Sequence, residues 1–165
     1  MRNQYFALAA VAALAACASH PAPQPTPAVS EPTQQQAPSG PVAGSAEEFR
    51  VTVGDRIFFG YDRFDLTPEA RSILERQAAW LRRYQNVRLL VEGNCDERGT
   101  REYNLALGAR RAAAARDYLV SLGISGDRMT TASYGKERPM DPRSNEQAWS
   151  VNRNAHSTIV SGAVS

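Results

Sequence analysis

The sequence predicts an α/β fold with helices packed on one face of a mixed four-stranded sheet. Two features carry that prediction: short apolar runs alternate with long helical ones, and the helical stretches have clear start and stop signals. Ile57-Phe58-Phe59, after Gly54-Asp55-Arg56, reads as a short buried strand. Thr67 suits an N-cap, Pro68 the first helical position and Glu69 the positive end of the helix dipole. That helix is expected to run to about Tyr84, with Ile73, Leu74, Ala78 and Leu81 as its apolar face. Val87, Leu89 and Val91 alternate with Arg88, Leu90 and Glu92, which gives a second strand. After a polar loop from Gly93 to Thr100, an Ala- and Arg-rich helix spans Arg101 to Leu122 and stops at Gly123. Met129 to Tyr134 is a third strand, Glu146 to Ser150 a short helix, and His156 to Val160 the last strand.

The first 45 residues follow different rules. Residues 1–16 read as an export signal: one positive charge in Met1-Arg2-Asn3-Gln4, then an apolar run from Tyr5 to Ala16 that is too short to span a bilayer permanently. Leu14-Ala15-Ala16-Cys17 resembles the bacterial lipobox, in which the signal is cut before Cys and that Cys carries the lipid. The lipoprotein pattern implies diacylglycerol and an N-acyl chain on Cys17, and no other cofactor. Ala18 stands where an Asp commonly acts as an inner-membrane retention signal, so the expected destination is the outer membrane, with the protein facing the periplasm. Residues 17–45 are the lipidated Cys and its tether, where seven of the ten prolines fall between Ala18 and Pro41. Such a chain buries too little surface to offset its ordering entropy and is expected to stay extended and disordered. At about 3.1 Å per residue it reaches on the order of 80 Å. Residues 46–165 are the folded domain.

Composition excludes several functions. The chain has 165 residues and a formal charge of +2, from 19 basic and 17 acidic side chains, which argues against a polyanion binder held by net charge. The basic residues are almost all Arg, but they are interleaved with acids, and an exported chain is in the wrong compartment for nucleic acid. Two cysteines, Cys17 and Cys95, and two histidines, His20 and His156, are too few for a disulfide framework or a His-rich metal site.

The densest polar segment, Glu92-Gly93-Asn94-Cys95-Asp96-Glu97-Arg98-Gly99-Thr100, follows a strand and feeds a helix, where open α/β sheets keep their sites. Gly93 and Gly99 are read as tight-turn residues. On the following helix, Asn104, Gly108, Arg111, Ala115 and Tyr118 share one stripe, and the small residues are expected to leave room beside Arg111. Leu105, Ala109, Ala112 and Leu119 form a neighbouring stripe expected to face the core. Arg111 near a loop Asp fits a structural ion pair. It equally fits a receptor for a zwitterion, with Arg taking a carboxylate and Asp an ammonium.

Phe58-Phe59-Gly60-Tyr61-Asp62-Arg63-Phe64-Asp65-Leu66, Val91 to Ala112 and Ser133 to Pro139 closely resemble the peptidoglycan-associated lipoproteins, whose domain is of the OmpA-like C-terminal type. The resemblance covers Ile57 to the C-terminus. It implies non-covalent binding of diaminopimelate in the stems of peptidoglycan, with Asp96 on the ammonium and Arg111 on the carboxylate. Phe59, Asn104 and Leu107 should then line the pocket, with the amides of Asn94 and Cys95 nearby. The resemblance further implies TolB as a partner, and a Tol-Pal role in envelope integrity and cell division. Two positions depart from the pattern: Asn154 replaces a second Arg, and Cys95 stands where Thr or Ala is common. Cys95 is expected to be shielded and inert.

An anchoring protein without turnover is the expected function. The alternative is a peptidoglycan hydrolase using two of Glu92, Asp96, Glu97 and Glu102 as acid and base. No nucleophile elbow, Cys–His pairing or HExxH motif accompanies those carboxylates. Anchoring can be checked separately. Cys17→Ser should release the protein into the soluble periplasm, and flotation of the variant with outer membranes would refute the lipobox.

Overall fold

The computed structural model describes residues 40–164. The expected signal, Cys17 and most of the tether lie outside the described residues. The elements run α1 (Ala46–Glu48), a wide turn of π-helix (Phe49–Gly54), β1 (Arg56–Phe58), α2 (Pro68–Arg83), β2 (Arg88–Asn94) and α3 (Arg101–Ser121). A 3-10 turn (Gly126–Arg128), β3 (Met129–Gly135), α4 (Glu146–Asn152) and β4 (Asn154–Ser161) complete the chain. The sheet order is β1-β4-β2-β3; β2 and β3 are parallel, and β4 lies antiparallel between β1 and β2. The predicted α/β class and the four strands are present.

Each long helix begins with a threonine cap. Thr67 Oγ1 accepts from the Ala70 N–H and Thr100 Oγ1 from that of Tyr103, satisfying amides that the helix leaves free. Leu74, Ala78 and Leu81 of α2 meet Ala112, Ala115 and Leu119 of α3 and the inward side chains Leu89, Val91 and Ala155 in one core. Gln77 is buried among them because both ends of its amide are paired: Nε2 donates to the Gly54 carbonyl at 2.7 Å, and Oε1 accepts from the Ser157 hydroxyl at 3.0 Å.

The sequence reading missed the segment 46–54. It packs on α2 through Phe49 and Trp80, whose ring centroids are 4.9 Å apart, and through a 2.7 Å bond from Trp80 Nε1 to Glu48. Order also begins before Ala46, since Gly44 donates to Glu48 and Ser45 bridges to Val164. The described chain therefore enters beside the end of β4, whereas the polar loop after β2 lies at the opposite end of the sheet.

The small residues of α3 also serve a different purpose from the expected one. A Cβ on Gly93 would sit 1.8 Å from the Gly108 carbonyl oxygen, and one on Gly108 would meet Ser133 Oγ at 2.3 Å. Gly93 and Gly108 let helix and sheet backbones touch; neither leaves room beside Arg111, and Gly93 makes no positive-φ turn. The buried face is Asn104, Leu107, Gly108, Arg111, Ala112, Ala115 and Leu119, while Ala109 is exposed. Ala112 and Leu119 of the expected stripe are in the core and Leu105 and Ala109 are not; alanine on every side of α3 leaves little periodic contrast to separate them.

Gly93→Ala should therefore cost about 1–3 kcal/mol or more, because a backbone and not a side chain must yield. Thermal unfolding would measure the loss, and an unchanged melting temperature would contradict this close approach.

Candidate functional site: a charged pocket at the end of β2

Four segments converge where β2 stops and β4 starts: the loop after β1, the loop after β2, the first half of α3, and Arg153. The first three line a cavity of about 170 Å³, and Arg153 supports its wall through Asp96. Arg111 is the most buried of the lining residues; Asp96, Arg98 and Gly99 form a wall, Leu107 adds an apolar surface, and Tyr61, Asp62 and Tyr103 stand at the exposed rim.

Arg111 is positioned by backbone carbonyls. Its Nε donates to Arg63 O at 2.8 Å, Nη1 to Asn94 O at 2.8 Å and Nη2 to Gly60 O at 3.1 Å. Its guanidinium carbon lies 5.1 Å from the Phe59 ring centroid. Burial lowers the Arg111 pKa, with the nearby Cys95 and Asp96 opposing that shift, but a guanidinium stays charged at neutral pH. Among the described residues no carboxylate lies within ion-pair distance of it. The structural Arg111–Asp96 ion pair left open by the sequence is not formed.

Asp96 instead holds two other arginines. Its Oδ1 accepts from the Arg98 N–H at 3.1 Å and Nε at 3.3 Å, and Oδ2 from Arg98 Nη2 at 2.6 Å and Arg153 Nη1 at 3.3 Å. Burial pushes the Asp96 carboxyl up, but the hydrogen bonds from Arg98 and Arg153 together outweigh it, and the net shift is downward. Arg153 is fixed in turn by Phe59 O and Glu146.

The remaining expected residues take distinct places. Asn104 and Leu107 line the pocket, although the Asn104 amide nitrogen is committed to the carbonyls of Arg98 and Thr100. Phe59 lies beneath Arg111, and Asn94 lies behind the pocket with its side chain bonded to Asn154. Cys95 reaches the wall, but its amide is spent on Gly135 O at 2.7 Å because the β2–β3 ladder continues past the strand. Asn154, in the position of the missing second Arg, accepts 3.0 Å bonds from Asn94 and from Arg56 of the adjacent strand, so a guanidinium reaches this place from β1. Sequence reasoning missed Arg98, Arg153, Tyr61, Asp62 and Tyr103 as site residues. Asp62, at φ +55°, accepts from the Tyr103 hydroxyl across 41 positions of chain, a pairing no local signal announces.

The carboxylates of the hydrolase alternative do not form a pair. Glu92 is bonded to His156 on the sheet face away from the helices, Glu97 to Trp149, and Glu102 is exposed in the first turn of α3. The Asp96 and Glu97 carboxyls are both held below their ordinary range, Glu97 by hydrogen bonds from Ser144 and Trp149, which disfavours either as a proton donor.

Residues 58–153 match the OmpA family. A peptidoglycan-associated lipoprotein of Mesorhizobium japonicum is 49% identical over 157 residues, covering 95% of this chain and 90% of that protein. The chain belongs to the OmpA family, among the peptidoglycan-associated lipoproteins. A protein of the same name from Rhizobium meliloti is 56% identical over 120 residues, covering 73% of this chain and 68% of that one. The crystal structure of the peptidoglycan-associated lipoprotein from Burkholderia pseudomallei matches with a TM-score of 0.64 at 34% identity, over 67% of this chain and 95% of that one. The C-terminal domain of Helicobacter pylori MotB shares the fold, with a TM-score of 0.61 at 19% identity over 65% of this chain and 84% of that one.

Cys95 provides a direct check on the wall of the pocket. It is 3% exposed, and burial pushes its thiol pKa up to about 11. At pH 8 the folded thiolate fraction is then roughly 0.1%, against roughly 25% for an ordinary thiol. Iodoacetamide should label Cys95 at least about a hundredfold faster in denaturant than in the folded protein. Comparable rates would mean the wall is open.

Proposed function

We propose that the chain anchors the outer membrane to the cell wall by gripping the diaminopimelate centre of peptidoglycan without turnover. One observation supports this most: the cavity is lined by a fully buried guanidinium that no carboxylate of the described residues pairs with, and by a carboxylate on its wall. A ligand bearing one anionic and one cationic group matches that arrangement, the carboxylate meeting Arg111 and the ammonium meeting Asp96. Asp62 and the rim tyrosines offer a second anion and apolar surface to the rest of the stem. The anchor would be lipid on Cys17, and the Pro-rich tether would span the gap to the wall. Chain entry at the sheet end away from the pocket suits this role, because a pull between membrane and wall then runs along the strands. Work with TolB in the Tol-Pal system, supporting envelope integrity and constriction at division, belongs to the same reading.

Arg111 is a poor residue for a clean test because it also binds three carbonyls. Arg111→Ala should lower folding stability, by about 1–3 kcal/mol for each buried carbonyl left unsatisfied, besides abolishing binding. Asp96→Asn keeps the shape and removes the charge, so it should weaken retention on purified sacculi by about 2–4 kcal/mol. Arg110→Ala, whose exposed guanidinium stacks on Phe64, should be retained like the wild type. Equal retention of Asp96→Asn and wild type, or release of soluble wall fragments, would overturn the proposal.

A further inference from the structure

The carboxylate assigned to the ligand's ammonium has no vacancy. A carboxylate offers about four acceptor positions, and four N–H groups already occupy those of Asp96: three from Arg98 and one from Arg153. An ammonium can reach it only by exchange. The two arginines differ in how firmly they are held. Arg153 is 6% exposed and fixed by Phe59 O at 3.1 Å and Glu146 at 2.7 Å. The Arg98 side chain is 30% exposed, and its guanidinium carbon lies 4.1 Å from the ring centroids of both Tyr61 and Trp149. Its Nη1 is already 3.9 Å from Glu146.

We propose that Arg98 is the resident cation of the pocket, pairing with Asp96 until the ligand's ammonium displaces it, and that this exchange sets the affinity of the site. The inference rests on the zwitterion reading above. Displacement substitutes one cation for another, so Asp96 is never left buried and unpaired, which would be costly. The two aromatic faces let the guanidinium slide while keeping its cation–π contacts, and Glu146 receives it where Asp96 releases it.

The test uses the full-length chain in detergent micelles, titrated calorimetrically with a tripeptide containing meso-diaminopimelate. If Arg98 leaves Asp96 in about a tenth of the unliganded molecules, Arg98→Gln should bind roughly tenfold more tightly than wild type. Arg98→Lys keeps the charge but loses the two-pronged grip, and should also tighten binding by a smaller factor. The wild-type Trp149 indole N–H resonance should move on saturation, as its stacked cation shifts. Weaker binding by either variant would overturn the proposal by making Arg98 a ligand contact. Wild-type affinity in Arg98→Lys, with tighter Arg98→Gln, would overturn it by reducing Arg98 to a long-range field. Should the variants unfold, an unmoved Trp149 resonance in the saturated wild type overturns it alone. A wild type that binds neither tripeptide nor sacculi sinks the zwitterion reading itself, whereas wild-type binding without tightening in the variants sinks only the exchange.

Discussion

A buried guanidinium without a carboxylate partner organises this end of the molecule. Arg111 donates to Gly60, Arg63 and Asn94, so it ties the loop after β1 to the end of β2 from a helix that packs across both. Three carbonyl dipoles solvate the cation but do not neutralise it. The protein thus keeps, beside a partly enclosed cavity, a positive charge with no carboxylate of the described residues within ion-pair distance.

Around that charge, the other arginines divide the work. Arg153 carries a fixed link between Asp96, Glu146 and the Phe59 carbonyl. Arg98 shares Asp96 but rests between two aromatic faces, which constrain it less than backbone carbonyls would. At the far end of the sheet Arg128 repeats the Arg111 device, donating to Leu81, Tyr84 and Val87. That arginine joins the end of α2 to the start of β2. In this chain arginine is a structural material, because one planar cation can satisfy several carbonyls where a loop turns.

The fold was largely legible in the sequence because its signals are local. Thr67-Pro68 and Thr100 cap helices through their own next turn, and Val87 to Val91 alternates strongly enough to mark a half-buried strand. The nearness of Asp96, Asn104 and Arg111 was legible too, since residues on a loop and the first turns of the following helix stay near one another, whereas Leu107 was placed there by the family resemblance alone. The segment 46–54 was missed because its structure depends on Trp80 and not on its own period.

By itself the sequence determined the α/β class, the helix limits and the nearness of Asp96 to Arg111, all matters of short chain separation. Tertiary structure alone decided which charges pair. Asp96 lies closer along the chain to Arg111 than to Arg153, yet it binds Arg153, because β4 returns between β1 and β2 and delivers that side chain to the end of the sheet. The glycines make the same point: Gly93 and Gly108 look like sources of freedom or space, and only the packed helix shows that each is required by the other backbone. Ion-pair choice and backbone clearance depend on distances of a few ångströms between remote segments, and such distances exist only once the sheet has closed.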